Sequence, residues 1–269
     1  MPELPEVETT RKGIEPFLVR QNIAMIDVRN KQLRWPVSTE IGLLRSVQVQ
    51  AVLRRGKYII LQLDQGAMLI HLGMSGSMRV VEATDAFKKH DHLVFHLADN
   101  KQIRFNDPRR FGSVLWSADW QTHPLICTLG PEPLSEAFDA QYLYALAKRR
   151  SVAVKQFIMN SQIVVGVGNI YANEALFLAG IHPKRAAKRI SLVRMTTLVA
   201  QIKQVLDKAI EQGGTTLRDF VGSDGKPGYF QQQLFVYGRA GEPCKQCATP
   251  LKEIRMNNRS TVFCTGCQS

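Results

Sequence analysis

The first half of the chain alternates hydrophobic and polar residues with a period of two. Over residues 47–53, for example, Val47, Val49, Ala51 and Leu53 alternate with polar neighbours. This pattern predicts β-strands with one buried face. Further strands are predicted over 58–63, 68–72, 92–97 and 102–105. Because the stretches are short and turn-forming residues separate them, they indicate a sandwich or barrel-like sheet.

Helical spacing of apolar residues precedes these strands and returns after them. It predicts an amphipathic helix from Pro5 to about Leu18. The clearest helical stripe runs from Ser191 to Glu211 and stops before Gly213 and Gly214, which is typical of a helix end. Shorter helices are predicted over 142–150, 152–159 and 170–178. The fold class is therefore α+β, with strands in the first half and helices in the second.

Residues 129–133 (LGPEP) carry two prolines and a glycine and predict a boundary between domains. A chain of 269 residues is long enough for two domains. We expect an N-terminal β-sandwich with flanking helices over 1–131, a helical domain over 132–235 and a cysteine-rich ribbon over 236–269.

The chain is strongly basic: 35 Lys and Arg against 23 Asp and Glu give a net charge of +12. Nucleic acid is the leading partner for such a charge, although a basic surface that only maintains solubility is the alternative. The acidic, proline-containing start does not resemble a secretion signal, and no run of eighteen apolar residues occurs. We expect a cytoplasmic protein with no membrane association.

Four of the five cysteines form two CxxC pairs, Cys244 with Cys247 and Cys264 with Cys267, sixteen residues apart. This spacing predicts one tetrahedral zinc ion between two knuckles; a disulfide pair and unrelated core thiols are the alternatives. Four thiolates leave no open position for water or substrate, so the zinc is structural. The remaining thiol, Cys127, is expected to be a small buried hydrophobic residue.

The segment between the knuckles predicts a hairpin with a basic and polar tip, suited to DNA phosphates or a groove. A solvated hairpin surface is the alternative. The tip residues are Lys252, Arg255, Asn257, Asn258 and Arg259.

Several separated motifs resemble those of formamidopyrimidine-DNA glycosylases, and the resemblance spans the whole chain. The matching segments, in the order of that family, are 1–8 (MPELPEVE), 107–112 (DPRRFG), 129–134 (LGPEPL), 166–171 (GVGNIY), 224–229 (DGKPGY) and the cysteine ribbon. The resemblance implies a bacterial base excision repair enzyme, a glycosylase and AP lyase that removes oxidised purines. It further implies a helix-two-turn-helix motif, one structural zinc ion, and action as a monomer on double-stranded DNA containing oxidised purines or abasic sites.

The resemblance also assigns catalytic roles near the N-terminus. Met1 is removed, the amine of Pro2 attacks C1′ of the damaged nucleotide, and β,δ-elimination follows. Glu3 matches the acid/base residue, Glu6 a supporting carboxylate and Lys57 a phosphate contact at the lesion. From the residues alone, Pro2 could simply start a helix, the two acids could favour its first turn, and Lys57 could be a solvated strand-end lysine.

Further positions match the family's DNA-binding residues. Met74, Arg109 and Phe111 match the set that fills the gap left by an extruded nucleotide. Lys155 and the loop over 213–229 match regions near the extruded base. The other DNA-binding positions implied by the resemblance are His71, Asn169, Tyr171 and Arg259.

This chain departs from the family pattern at a few positions: Asn160 and Asn173 stand where Asp is frequent, and Thr265 where proline is frequent. These changes affect local packing and ribbon rigidity rather than the implied chemistry.

Two alternative functions remain open from the sequence. One is the related endonuclease VIII type, which prefers oxidised pyrimidines, although Leu4 and the Met74, Arg109 and Phe111 set favour the purine enzyme. The other is a zinc-ribbon DNA-binding protein without catalytic activity.

Overall fold

The computed structural model describes residues 2–214 and 234–269. Met1 and most of the loop predicted over 213–229 therefore lie outside the described residues. The chain forms two compact units: Met1–Thr128 with Gln212–Tyr229, and Leu129–Glu211 with Phe230–Ser269. The finer division at 131 and 235 stays a prediction.

Eight strands of the first unit form one antiparallel sheet in the order β5-β7-β6-β1-β2-β3-β4-β8. The strands are β1 (Asn22–Val28), β2 (Arg45–Arg55), β3 (Tyr58–Leu63), β4 (Ala67–His71), β5 (Ser77–Glu82), β6 (Asp91–Leu97), β7 (Lys101–Asn106) and β8 (Ser113–Ser117).

The sheet folds over so that strands near its two ends share one hydrophobic core. Phe105 of β7 and Val114 of β8 belong to this core, although β7 and β8 lie near opposite ends of the strand order. Gly112 approaches Phe105 so closely that a Cβ on Gly112 would lie 2.7 Å from the ring. The predicted N-terminal β-sandwich is confirmed.

Helices flank this sandwich: α1 (Leu4–Leu18), α2 (Thr39–Leu43) and α3 (Pro124–Cys127). Pro5 stands in the first turn of α1, where a missing N–H costs nothing. Val7, Ile14 and Leu18 form a buried stripe that joins the sheet core. The predicted N-terminal helix is therefore present and is anchored along its length.

The second unit is helical and then continues into the cysteine ribbon. Its helices are α4 (Ala140–Ala147), α5 (Val154–Ile158), α6 (Asn169–Leu178), a 3-10 turn (Ala187–Arg189) and α7 (Leu192–Glu211). The ribbon pairs β9 (Lys252–Met256) with β10 (Arg259–Phe263). Asn257 and Asn258 between them both have positive φ, as a two-residue hairpin turn requires. The predicted helices, hairpin and α+β class are confirmed.

The hydrophobic pattern did not predict β1, β5, β8, α2 and α3. β1 has consecutive apolar residues, Ala24, Met25 and Ile26, which give no period-two alternation. The expectation of a buried Cys127 was wrong, because this cysteine ends the four-residue helix α3 with its side chain exposed. Among the described residues, no helix combines the length and hydrophobicity that crossing a bilayer requires.

Candidate active site and nucleic-acid interface

The start of α1 carries two buried carboxylates, those of Glu3 and Glu6. Glu3 is the N-cap, and its side chain accepts from the N–H of Glu6, while the Glu6 carboxylate accepts from the N–H of Glu3 at 2.8 Å. The exposed fractions of Glu3 and Glu6 are 2% and 0%. This reciprocal capping box holds both carboxylates in fixed positions at the start of α1, the helix that follows Pro2 in the chain.

Arg54 connects α1 to the turn that carries Lys57. Its Nε donates to Glu8 at 2.9 Å, and its Nη1 donates to the carbonyl of Gly56 at 3.1 Å. Gly56 has φ +57, a left-handed conformation that glycine adopts without strain. The turn with Lys57 is thus attached to the helix that begins after Pro2. The sequence analysis did not identify Arg54, because its partner Glu8 lies 46 residues away.

His71 lies within the electrostatic influence of two cations of the first unit, Lys57 and Arg34. Burial, and then the charges of Lys57 and Arg34, lower the pKa of His71 from its ordinary value of 6.5 to about 4. The imidazole is therefore neutral at pH 7, and its Nδ1 accepts from the N–H of Gly73 at 3.0 Å. This leaves the proton on Nε2, which can donate to a phosphate oxygen. Arg34 was not identified from the sequence.

Met74, Arg109 and Phe111 lie on two loops that a buried carboxylate joins. Asp107 accepts from the hydroxyl of Ser75 at 2.8 Å and from the N–H of Gly112 at 2.7 Å. The Ser75 hydroxyl in turn accepts from the N–H of Arg109 at 3.3 Å. The structure therefore brings these three predicted residues together, and Asp107 and Ser75 are positioning residues that the sequence analysis missed.

The two loops also approach each other through a glycine contact. Gly73 has φ +66, and a Cβ there would lie 2.4 Å from the backbone of Phe111 and of Gly112. Only glycine fits this approach. The guanidinium of Arg109 lies 5.1 Å from the ring centre of Phe111, whose exposed fraction is 46%. An aromatic ring this exposed, backed by a cation, is suited to stacking on a base.

The four predicted zinc ligands converge in the ribbon. The Sγ atoms of Cys244, Cys247, Cys264 and Cys267 all lie within 4.8 Å of one another. Tetrahedral coordination with zinc–sulfur distances of about 2.3 Å requires sulfur separations of about 3.8 Å, and Cys244 and Cys267 are 3.9 Å apart. The residues therefore fit one structural zinc ion, as predicted, which would hold the two knuckles together.

Lys155 and Asn169 lie against the ribbon strand that carries Arg259. The amine of Lys155 donates to the carbonyl of Ser260 at 3.0 Å and to the hydroxyl of Thr261 at 2.6 Å. The amide of Asn169 donates to the same Ser260 carbonyl at 3.0 Å. Lys155 is only 1% exposed. Both side chains hold the ribbon strand in the described structure, and their contact with DNA stays a prediction.

Asn173 is a third residue bonded to this strand: its Oδ1 accepts from the N–H of Val262 at 3.0 Å. Tyr171 is buried, whereas Arg259 is exposed at the start of β10. A cleft of about 210 Å³ adjoins the contact. It is lined by Lys155, Gln156, Met159, Asn160, Met256, Asn257 and Arg259.

A further structural carboxylate, Glu174, holds the chain that leads into the ribbon. It accepts from the N–H groups of Phe235, Val236 and Tyr237 at 2.7 to 3.0 Å. Burial raises its pKa, and these backbone bonds oppose the rise. A charged residue among the buried positions of an otherwise apolar helix was the sequence feature that could have identified it.

Comparisons with known proteins cover nearly the whole chain. Three family models match: the formamidopyrimidine-DNA glycosylase N-terminal domain over 1–114, the H2TH domain of the same enzymes over 129–221, and the zinc finger found in FPG and IleRS over 241–269. The formamidopyrimidine-DNA glycosylases of Marinobacter nauticus and Stutzerimonas stutzeri are 58% and 54% identical, each over 100% of both chains.

Solved structures agree with the sequence matches. A Lactococcus lactis FPG mutant in complex with Fapy-dG-containing DNA superimposes with a TM-score of 0.93, at 32% identity and 100% coverage of both chains. The MutM (FPG) protein of Thermus thermophilus gives a TM-score of 0.90, at 36% identity, covering 99% of this chain and 98% of the other. The predicted resemblance is confirmed: the chain belongs to the formamidopyrimidine-DNA glycosylase family.

Proposed function

We propose that the protein removes oxidised purines from duplex DNA and cleaves the strand, with the amine of Pro2 as the nucleophile. The observation that carries this proposal is the capping box, which fixes the buried carboxylates of Glu3 and Glu6 in the first turn after Pro2, in a chain of this family. The family makes the protein a DNA glycosylase of base excision repair. Relatives bound to DNA containing Fapy-dG or an abasic site support this substrate class.

The proposed reaction starts once Met1 has been removed. An N-terminal amine titrates near pH 8, so an appreciable fraction is uncharged at neutral pH. The Pro2 nitrogen attacks C1′ of the damaged nucleotide as the base leaves, and Glu3 donates a proton to the deoxyribose ring oxygen. The C1′–O4′ bond then breaks and the nitrogen loses its proton, which leaves an iminium ion at C1′. Loss of a proton from C2′ expels the 3′ phosphate, and loss of a proton from C4′ then expels the 5′ phosphate. Glu6 holds the backbone N–H of Glu3 throughout.

We assign the remaining residues to DNA binding by their positions. Lys57 and the neutral His71 contact phosphate near the lesion, and Arg259 contacts phosphate from the ribbon tip. Met74, Arg109 and Phe111 enter the gap that the extruded nucleotide leaves. We propose that Lys155, Asn169 and Tyr171 support the DNA-binding surface of the second unit, in which Lys155 and Asn169 hold the strand of Arg259.

A cleavage assay tests the function. Duplexes with 8-oxoguanine opposite cytosine should be cut to leave a one-nucleotide gap, and a matched thymine-glycol duplex should be cut more slowly. Much faster cleavage of thymine glycol would reassign the protein to oxidised pyrimidines. Tight binding of both duplexes without cleavage would overturn the glycosylase proposal.

We further propose that the protein is a cytoplasmic monomer and that residues 1–131 form its catalytic domain. Light scattering after size exclusion, with and without a lesion duplex, measures the oligomeric state. A mass of one chain, or of one chain with one duplex, is expected; a dimer in either sample would contradict the proposal.

A further inference from the structure

Two basic segments of the second unit lie side by side, outside the residues assigned to excision. The N–H of Val154 donates to the carbonyl of Arg185 at 2.7 Å, and the N–H of Lys188 donates to that of Arg150 at 3.0 Å. Ala153 and Ala186 form an antiparallel bridge between these bonds. We call six of the cations on these segments the basic ridge: Lys148, Arg149, Lys184, Arg185, Lys188 and Arg189.

The charge of the basic ridge is not neutralised locally. Residues 148–194 contain nine Lys and Arg but one acidic residue, Glu174, which is buried and accepts three backbone bonds. Within 2–214 and 234–269, none of the six ridge cations forms an ion pair with a carboxylate. Arg185 is partly buried and the other five are exposed.

Like-charge repulsion from the ridge contributes to lowered pKa values at two neighbouring side chains. Burial, and then the charges of Lys184 and Arg185, lower the pKa of His182. Burial, and then Arg185, lower the pKa of Arg194. Closely spaced cations that repel one another on a hydrogen-bonded backbone form a surface that a polyanion would stabilise.

We propose that the basic ridge is a second DNA-binding surface, which contacts the phosphates of undamaged duplex without reading sequence or lesion. Duplex DNA carries one negative charge per about 1.7 Å of helix axis, a density that two adjacent basic segments can match. Half of the ridge cations are arginines, which bind phosphate oxygens through paired N–H groups. None of the six belongs to the residues proposed for excision, so the ridge would add affinity for any duplex.

Two quadruple variants with equal loss of charge test the basic ridge. The ridge variant is K184Q/R185Q/K188Q/R189Q, and the control variant is K12Q/R20Q/K31Q/K208Q, which replaces four exposed cations elsewhere. Binding to an undamaged 30-base-pair duplex is measured by fluorescence anisotropy over a series of salt concentrations. Thermal melting and zinc content show whether each variant is folded.

The negative slope of log affinity against log salt should become less steep by about 2 to 3.6 in the ridge variant, since each lost phosphate contact reduces its magnitude by about 0.9. The control variant should lose less than about one. Equal slopes in the two folded variants would overturn the proposal. So would a ridge variant that keeps its DNA slope and loses only affinity for anionic lipid vesicles.

The basic ridge acts independently of the proposed excision chemistry. Single-turnover cleavage of an 8-oxoguanine duplex at saturating enzyme and low salt should be the same in the ridge variant and the wild type. If the wild-type protein does not cleave, the proposed function fails, and the salt slopes for undamaged duplex still decide whether the ridge binds DNA.

Discussion

Asp107 is the single residue on which the loop of Arg109 and Phe111 depends most directly. In Asp107→Asn, one oxygen becomes an N–H donor, so the Ser75 hydroxyl and the Gly112 N–H no longer both have a carboxylate acceptor. Leaving one buried donor without a partner costs about 1–3 kcal/mol. We expect a lower melting temperature and at least tenfold weaker binding to abasic-site duplex. Asp207→Asn, an exposed control on α7, should change neither, and equal behaviour of the two variants would contradict this role.

The lowered pKa of His71 makes the stability of the fold depend on pH. Its pKa is about 4 in the fold and near 6.5 when unfolded, so between these values the unfolded chain binds more protons. Stability contributed by the neutral imidazole is thus complete above pH 6.5 and is lost as pH falls towards 4, by at most about 3 kcal/mol.

Denaturant unfolding of His71→Asn at pH 7 and pH 4.5 measures this effect. Asparagine can keep the acceptor for the Gly73 N–H but does not titrate, so the variant should lose less stability on acidification than the wild type. His123→Asn is the matched control, because the Nδ1 of His123 accepts a similar bond from Leu125. Equal loss of stability in His71→Asn and the wild type would contradict the claim that His71 is buried as a neutral imidazole.

At the scale of elements, the position of the ribbon strand depends on the helices beneath it. Lys155→Met removes both side-chain bonds to Ser260 and Thr261 but keeps an unbranched side chain of similar length. We expect about 2 kcal/mol lower stability, unchanged zinc content, and weaker binding to abasic-site duplex, because Arg259 is no longer held in place.

Steady-state kinetics, measured at a temperature where Lys155→Met is fully folded, separate a positioning role of Lys155 from simple loss of stability. A raised KM with zinc retained supports the role of Lys155. Lys203→Met, which removes a bond to the Ser135 carbonyl instead, is the control and should leave KM unchanged. Loss of zinc, or wild-type KM in Lys155→Met, would contradict the account.

Across the whole molecule, the features that could be predicted from sequence were those with a regular local spacing of residues. Alternation of apolar and polar residues over 47–53 identified β2, although a register shift between Val49 and Ala51 leaves Leu53 exposed and Val52 buried, against the predicted face. The spacing of four cysteines identified their cluster. β1 was not predicted because its consecutive apolar residues Ala24, Met25 and Ile26 give no alternation, and α3 was not predicted because it has only four residues. The contact between Ser75 and Asp107 joins residues 32 apart. No local pattern reports such a contact, so the positions of Met74 and Phe111 came from resemblance alone.

The central claim, that Pro2 is the nucleophile, is tested most directly by borohydride trapping. The protein is incubated with duplex containing 8-oxoguanine opposite cytosine, reduced, digested and analysed by mass spectrometry. A preparation that retains Met1, in which the nitrogen of Pro2 is an amide, serves as the control and should give no adduct. The account predicts a covalent DNA adduct on Pro2 of the processed chain. An adduct on a lysine instead, or none at all on a chain with a verified free Pro2, would contradict it.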